Sequence, residues 1–203
     1  MTSLTPETVE LVPADYFRGL TREEIFPDAS RPLELDVGCG DGTFLLEMAA
    51  RFPERDFLGL ERLGGRVKKI CRRAARLGLA NVRVLSLESS YALGWLLPHA
   101  CATRLHLLFP DPWPKKRHAR HRFVHPENLT AIHRALAEKG QFLFKTDHPE
   151  YFDEATAAVD ESPLFSRLPW LDDAEFYPVT DFEQQWLGEG KLIQAARWVK
   201  QPH

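Results

Sequence analysis

The sequence predicts an α/β protein with a mostly parallel, doubly wound sheet and an antiparallel C-terminal edge. The parallel part is predicted because apolar runs of strand length alternate with amphipathic helical patterns through most of the chain. The antiparallel edge is predicted because only a loop, with room for a short helix, separates the last two apolar runs. With 203 residues, the chain is large enough to bury one core.

The predicted elements follow in a regular order. The strands are the apolar runs at 33–38, 56–61, 82–87, 104–109 and 141–146, then 164–170 and 192–199. The helices are the amphipathic stretches at 43–52, 66–77, 126–138 and 149–161. Pro126 opens the third helix and Gly140 stands just past its end, as is usual for helix boundaries. Residues 31–203 are therefore expected to form a single domain, with residues 1–30 as an N-terminal arm, extended or partly disordered.

Composition indicates a cytoplasmic protein without a membrane partner. Hydrophobic residues make up 44% of the chain and charged residues 27%, as in ordinary globular proteins. No apolar run approaches the ~18 residues of a membrane span, and the N-terminus lacks the features of a secretory signal. Cys39, Cys71 and Cys101 form no CxxC pair, so reduced thiols are expected. We expect a monomer or a homodimer.

Basic residues are strongly segregated although the formal net charge is −3. No acid lies between Glu61 and Glu88, where eight Lys and Arg residues fall. None lies between Asp111 and Glu127, where five more fall. Solvated helix faces would interleave both signs of charge. The segregation therefore favours a polyanionic partner.

A glycine-rich turn joins the first predicted strand to the first helix. Its three glycines have G-x-G-x-G spacing and are Gly38, Gly40 and Gly42. Asp36 ends the first strand and Glu61 ends the second, and acids at these places suit a cation or a ribose better than a diphosphate. We therefore expect S-adenosyl-L-methionine rather than NAD, with Glu61 at the ribose hydroxyls and Glu88 at the adenine edge. A purely structural tight turn is the alternative.

The stretch FPDPWPKKRHARHR, residues 109–122, directly follows the fourth predicted strand. Its prolines fix φ and stiffen the turn that holds Asp111 and Trp113 at the ligand-binding edge of the sheet. A carboxylate and an aromatic ring on a rigid loop can bind a flat nucleobase, while adjacent cations hold the flanking phosphates. The cations expected on the RNA backbone include Lys115, Lys116, Arg117, Arg120 and Arg122. The alternative is a structural proline turn before a solvated basic loop.

The motifs DVGCGDG, FLGLER, FPDPWPKKRHARHR, FKTDH and TDFEQQW occur in this order. Together they resemble the bacterial tRNA (guanine-N7)-methyltransferases, the TrmB family, from about Pro32 to the C-terminus. The resemblance implies a Rossmann-like class I methyltransferase that modifies a tRNA guanosine, in the variable loop, with S-adenosyl-L-methionine. It implies that Asp111 is catalytic and that the cofactor also meets Asp36, Glu61 and Glu88. It implies substrate contacts at Lys115, Asp147, Thr180, Asp181, Phe182 and Glu183.

Several alternatives concern single residues. Asp36 and Glu88 depart from the family, which often has Glu and Asp there, so a carboxylate moves by one methylene at each position. Asp147 suits the N-cap of the helix that follows, and Glu183 alone suits a solvated surface. Metal ligation by the histidines of residues 118–125 lacks a fourth ligand nearby, and no metal is expected.

Two further functions fit the same sequence. The protein could methylate an exocyclic amine of an RNA base, because DPW resembles the turn of amino-methyltransferases. It could also be an RNA-binding module that keeps the cofactor fold without catalysis. A NAD-dependent dehydrogenase is disfavoured because the chain has no Tyr-x-x-x-Lys motif.

Overall fold

The computed structural model describes residues 4–172 and 174–202, without the side chains of Lys116, Ala119 and Asp181. In these residues the strands are β1 (Glu10–Leu11), β2 (Leu33–Val37), β3 (Asp56–Leu60), β4 (Val82–Leu85), β5 (Ala102–Leu108), β6 (Leu136–Thr146), β7 (Phe165–Leu168) and β8 (Gln194–Lys200). The helices are α1 (Pro6–Val9), α2 (Arg22–Ile25), α3 (Thr43–Arg51), α4 (Gly64–Leu77), α5 (Ser89–Tyr91), α6 (Pro126–Ala135), α7 (Pro149–Asp160) and α8 (Asp181–Gly188). A π-helical turn at Ala92–Leu96 follows α5, and a 3-10 segment spans Lys116–His121.

The strands form one sheet in the order β1-β4-β3-β2-β5-β6-β8-β7. In this spatial order, each pair of adjacent strands from β1 through β6 is parallel, whereas β8 is antiparallel to both β6 and β7. The predicted parallel sheet with an antiparallel C-terminal edge is confirmed. After the central strand β2, the chain adds β3 and β4 on one side of it and then β5 and β6 on the other side. The carboxyl ends of β2 and β5 therefore border the crevice where ligands bind in such folds.

Helices bury apolar residues on both sides of the sheet. One cluster joins α3 and α4 to Phe57 and Val84 of the sheet. The other joins α6 and α7 to Phe142, Phe144 and Trp198. The inner face of α4 is apolar as predicted, and its buried residues are Val67, Ile70, Cys71 and Ala74. Among the described helices, none has both the length and the apolar character needed to cross a bilayer.

The end of the predicted helix 126–138 is wrong. The helix stops at Ala135 and β6 begins at once, because Leu136 pairs with Ala102 at the start of β5. Lys139 then has a positive φ of 59°. A Cβ on the following Gly140 would lie 2.8 Å from the Ala137 carbonyl oxygen, so glycine is required there for close backbone approach. Tertiary pairing overrides the helical propensity of these residues.

The N-terminal segment, expected to be an extended or partly disordered arm, contains three short elements between residues 6 and 25, whereas residues 1–3 lie outside the described part. Capping boxes at Thr5 and Thr21 start α1 and α2. Between these helices, β1 adds a parallel edge to the sheet through the pairing of Glu10 with Val84. Val9 is completely buried. This segment therefore contributes to the core.

Candidate active site

A cavity of about 670 Å³ opens at the carboxyl ends of β2, β3 and β5. Twelve of the predicted cofactor and substrate positions are fully described in the structure, so it is known whether they line this cavity. Those that line the cavity are Asp36, Gly38, Gly40, Glu61, Glu88, Asp111, Asp147, Thr180 and Phe182. Gly42, Lys115 and Glu183 do not line it. The topology therefore brings together acids that are up to 111 residues apart in sequence (Asp36 and Asp147).

The glycine turn after β2 needs its glycines for two different reasons. Gly38 and Gly40 have φ values of 71° and 59° and expose their backbone to the cavity. Gly42 has a φ of 80°, and a Cβ there would lie 2.8 Å from a side-chain carbon of Ile70. Gly42, expected at the cofactor, therefore allows α3 and α4 to pack closely.

Three carboxylates surround this turn. Asp36 is only 4% exposed, and burial raises its pKa to about 8, with further contributions from Asp41 and Glu61. Asp41 also accepts hydrogen bonds from the Thr43 amide and hydroxyl, at 3.2 and 3.1 Å. A raised carboxyl pKa means that the site already holds more negative charge than it can easily accommodate. This end of the cavity therefore favours a cationic ligand.

Glu61 and Glu88 hold the backbone around the cavity. Glu61 is 5% exposed and accepts hydrogen bonds from the amides of Gly40 at 3.1 Å and Leu63 at 2.8 Å. Glu88 is the N-cap of α5 and accepts from the Ser90 and Tyr91 amides at 3.0 and 2.9 Å. Both carboxylates are thus fixed before any ligand binds. Their predicted contacts with ribose and adenine stay predictions.

The proline-rich loop after β5 is conformationally strained. Phe109 and Trp113 have positive φ values of 50° and 43°, in a region that residues other than glycine rarely adopt. Each such residue costs on the order of 1 kcal/mol and persists only where its surroundings enforce it. Asp111 lies between them, exposed and on the cavity wall. The strain therefore coincides with the predicted catalytic residue.

Arg122 braces this loop from within the protein, which corrects the expectation that it contacts RNA. It is 4% exposed, and its Nε donates to the Pro112 carbonyl oxygen at 2.8 Å. Its guanidinium also pairs with Glu154 and lies 5.2 Å from the centre of the Tyr151 ring. These contacts leave it as a support for the loop and not as an exposed phosphate ligand.

The rest of the basic stretch is on the surface. Lys115, Arg117 and Arg120 are exposed, and the side chain of Lys116 lies outside the described part. Trp113 packs against His118 and His121, with ring centroids 5.9 and 5.1 Å away. In the part of the chain that the structure describes, no cluster of His, Cys, Asp or Glu has the arrangement of a metal site.

The C-terminal segment forms another part of the cavity wall. Thr180 caps α8 and accepts a hydrogen bond from the Glu183 amide at 3.0 Å. Phe182 lines the cavity and is 52% exposed. Trp186, which was not predicted as a site residue, lines it one helical turn further on. The predicted Asp181 contact falls on a side chain outside the described part.

Glu183 turns away from the cavity and is buried. Its Oε1 accepts a hydrogen bond from Lys145 Nζ at 2.6 Å, and its exposure is 6%. The Lys145 ammonium also lies 5.2 Å from the centre of the Tyr177 ring and 5.7 Å from that of Trp170. The interpretation of Glu183 as a solvated surface residue is therefore wrong. The pair attaches α8 to the end of β6.

Replacing Lys145 with methionine should lower the free energy of unfolding by about 3 kcal/mol, because Glu183 would become an unpaired buried charge. The double variant Lys145→Met/Glu183→Leu should recover more than half of that loss, since it removes both charges. Urea denaturation of the single and double variants measures the effect. Equal stability of the single variant and the wild type would show that the pair does not hold α8.

Asp147 faces the cavity at the end of β6 and does not cap α7. The N-cap is His148, whose Nδ1 accepts from the Tyr151 amide at 3.3 Å. The Asp147 carboxylate lies 3.8 Å from Lys191 Nζ, and that ammonium stacks 3.0 Å from the centre of the Trp186 ring. The N-cap interpretation is wrong, and Asp147 is available to a ligand.

The family of the chain can be read from its similarity to known proteins. A family model described as "Putative methyltransferase" matches residues 30–196. A tRNA (guanine-N(7)-)-methyltransferase of Azorhizobium caulinodans is 35% identical over 177 residues, which cover 83% of this chain and 75% of the relative. A protein of the same name from Paracoccus denitrificans is 32% identical, over 94% of this chain and 81% of the relative.

Solved structures share the fold at lower identity. The crystal structure of the 16S rRNA methyltransferase KamB superimposes with a TM-score of 0.65 at 20% identity, covering 91% of this chain and 96% of that one. A 16S rRNA (adenine(1408)-N(1))-methyltransferase from Catenulisporales acidiphilia, with cosubstrate SAM, gives a TM-score of 0.58 at 16% identity, over 90% of this chain and 92% of that one. These likenesses show the class I methyltransferase fold.

Proposed function

This chain belongs to the tRNA (guanine-N(7)-)-methyltransferase family, and we propose that it transfers a methyl group from S-adenosyl-L-methionine to N7 of a guanosine in tRNA. One observation carries the proposal beyond the family likeness. A single cavity joins an acidic glycine turn to the strained loop of Asp111, beside exposed basic residues. Because its substrate is tRNA, we place the reaction in the cytoplasm.

The chain's residues fit the cofactor at the acidic end. When bound, S-adenosyl-L-methionine supplies a methyl group on a cationic sulfonium, and it carries no phosphate. Asp36, Asp41 and Glu61 would favour its positive charges, as the raised pKa of Asp36 indicates. The exposed backbone of Gly38 and Gly40 allows close approach of the nucleoside. Glu88, on the same wall, would meet the adenine.

The reaction at N7 requires positioning more than proton transfer. N7 of guanine carries an in-plane lone pair and no proton, so no general base is needed. Asp111, held by its strained loop, and Asp147, at the end of β6, would accept hydrogen bonds from the guanine. Methylation makes the imidazole ring of the base cationic, and nearby carboxylates stabilise that charge as it develops. Phe182 offers an exposed ring on which the base can stack.

The product of the reaction identifies the modified atom. Unmodified tRNA incubated with the protein and S-adenosyl-L-methionine should acquire a single strand break at a guanosine after borohydride and aniline treatment, because N7-methylation makes that position labile. Methyl incorporation without such a break would indicate an exocyclic amine as the acceptor. Cofactor binding without incorporation would indicate a non-catalytic RNA-binding module. Either result would overturn the proposal.

A further inference from the structure

The outer face of α4 carries a row of cations, most of which do not line the cavity. Because the apolar residues of α4 face the core, its basic residues are directed outward. We define the α4 basic face as the exposed residues Arg66, Lys68, Lys69, Arg72 and Arg76. At ~1.5 Å per residue, the ten-residue interval from Arg66 to Arg76 extends this face over about 15 Å along the helix.

The charges of this face are poorly compensated within the protein. Arg66 lies 3.6 Å from Glu61. In the described chain, Lys68, Lys69 and Arg76 form no ion pair. Cations four residues apart, such as Lys68 and Arg72, repel each other on a helix, and the first turn of α4 contains no acid to complement the helix dipole. The arrangement disfavours the isolated helix, so a bound polyanion would relieve it.

The α4 basic face begins at the rim of the cavity. Arg62 and Arg66 line the cavity, and the face continues from them along α4. In the sheet, α4 connects β3 to β4, whereas the loop with Lys115 and Arg120 follows β5. The α4 basic face and a second basic surface, the exposed cations of the loop after β5, therefore flank the cavity on opposite sides of the point where the strand order reverses.

We propose that the α4 basic face binds the sugar-phosphate backbone of the tRNA, beyond the nucleotide that enters the cavity. This inference rests on the proposed function. RNA fits better than a membrane, because the apolar side of α4 is buried and cannot insert into lipid. With cations on both sides of the cavity, the tRNA would be held at two places, which fixes the target base over the opening.

The test is a variant with four substitutions, Lys68→Gln, Lys69→Gln, Arg72→Gln and Arg76→Gln. Glutamine keeps the helical propensity high, and Arg66 is left unchanged because it lines the cavity. The KM for tRNA should rise about tenfold or more, while kcat at saturating tRNA changes less than about twofold. The slope of log Kd against log salt should fall by about 2 to 4, because each lost phosphate contact removes up to about one counterion.

A control variant of equal net charge separates a local contact from a general electrostatic effect. It replaces four exposed cations outside both basic surfaces with glutamine: Arg18, Arg51, Lys139 and Arg167. This control should keep the wild-type KM and salt slope. An equal loss in both variants, or an unchanged slope in the α4 variant, would overturn the inference. If wild-type protein bound tRNA without methylating it at N7, the proposed function would fail, and the salt slopes would still decide the role of α4.

Discussion

Replacing Asp111 with asparagine should reduce methyl transfer to tRNA about 300-fold, which corresponds to roughly 3.4 kcal/mol of lost transition-state stabilisation. Asparagine has nearly the shape of aspartate, so the strained loop should keep its conformation while losing the negative charge. The substitution therefore isolates the electrostatic contribution at the point where the guanine becomes cationic. Single-turnover kinetics with saturating tRNA and cofactor measure this step.

The affinity for tRNA should change much less than the rate, because the exposed cations around the cavity are untouched. A matched control is Asp153→Asn, which removes another exposed carboxylate on α7 away from the cavity. The control should keep wild-type kinetics. A rate for Asp111→Asn within about threefold of the wild type would contradict the proposed role of Asp111.

Much of the fold could be predicted because strand-length apolar runs and amphipathic helices are local patterns. The start of β6 could not, since residues 136–140 have helical propensity and become a strand only by pairing with β5. The edge strand β1 was also missed. It has two residues, and what defines it is its partner β4, about 70 positions later in the chain. Short elements held by distant partners leave no periodicity in the sequence.

The acids of the site could be predicted because the carboxyl ends of parallel strands meet at one edge of a sheet. That rule placed Asp36 and Asp111 on the cavity. It could not distinguish Arg122 from its basic neighbours, because only the folded loop shows which cation is buried. It also could not show that Glu183 faces Lys145, a residue 38 positions earlier in the chain. A charged residue is predicted from the sequence to lie on the surface, and only tertiary packing shows which charged residues are buried.

Replacing Asp36 with asparagine should stabilise the ligand-free protein at pH 8 and weaken cofactor binding. The pKa of Asp36 is about 8 in the folded protein, whereas an unfolded aspartate has a pKa of roughly 3.9. Between these values the folded state retains a proton that the unfolded state releases, so the stability of the wild type falls as pH rises through this window. From pH 5 to pH 8 the loss amounts to about 4 kcal/mol, and the amide side chain introduced by Asp36→Asn does not titrate.

Thermal unfolding without ligand should therefore give a Tm difference in favour of the variant that is small at pH 5 and clearly larger at pH 8. Cofactor affinity should fall about tenfold or more in the variant, because the variant lacks the ionised Asp36 carboxylate that would attract the cationic cofactor. Calorimetry of cofactor binding at pH 7 should detect proton release from the wild type and none from the variant. A Tm difference that is constant across this pH range would show that the buried carboxyl is not held protonated. Asp36 would then be ionised before the cofactor binds, and its charge would not be what destabilises the ligand-free protein.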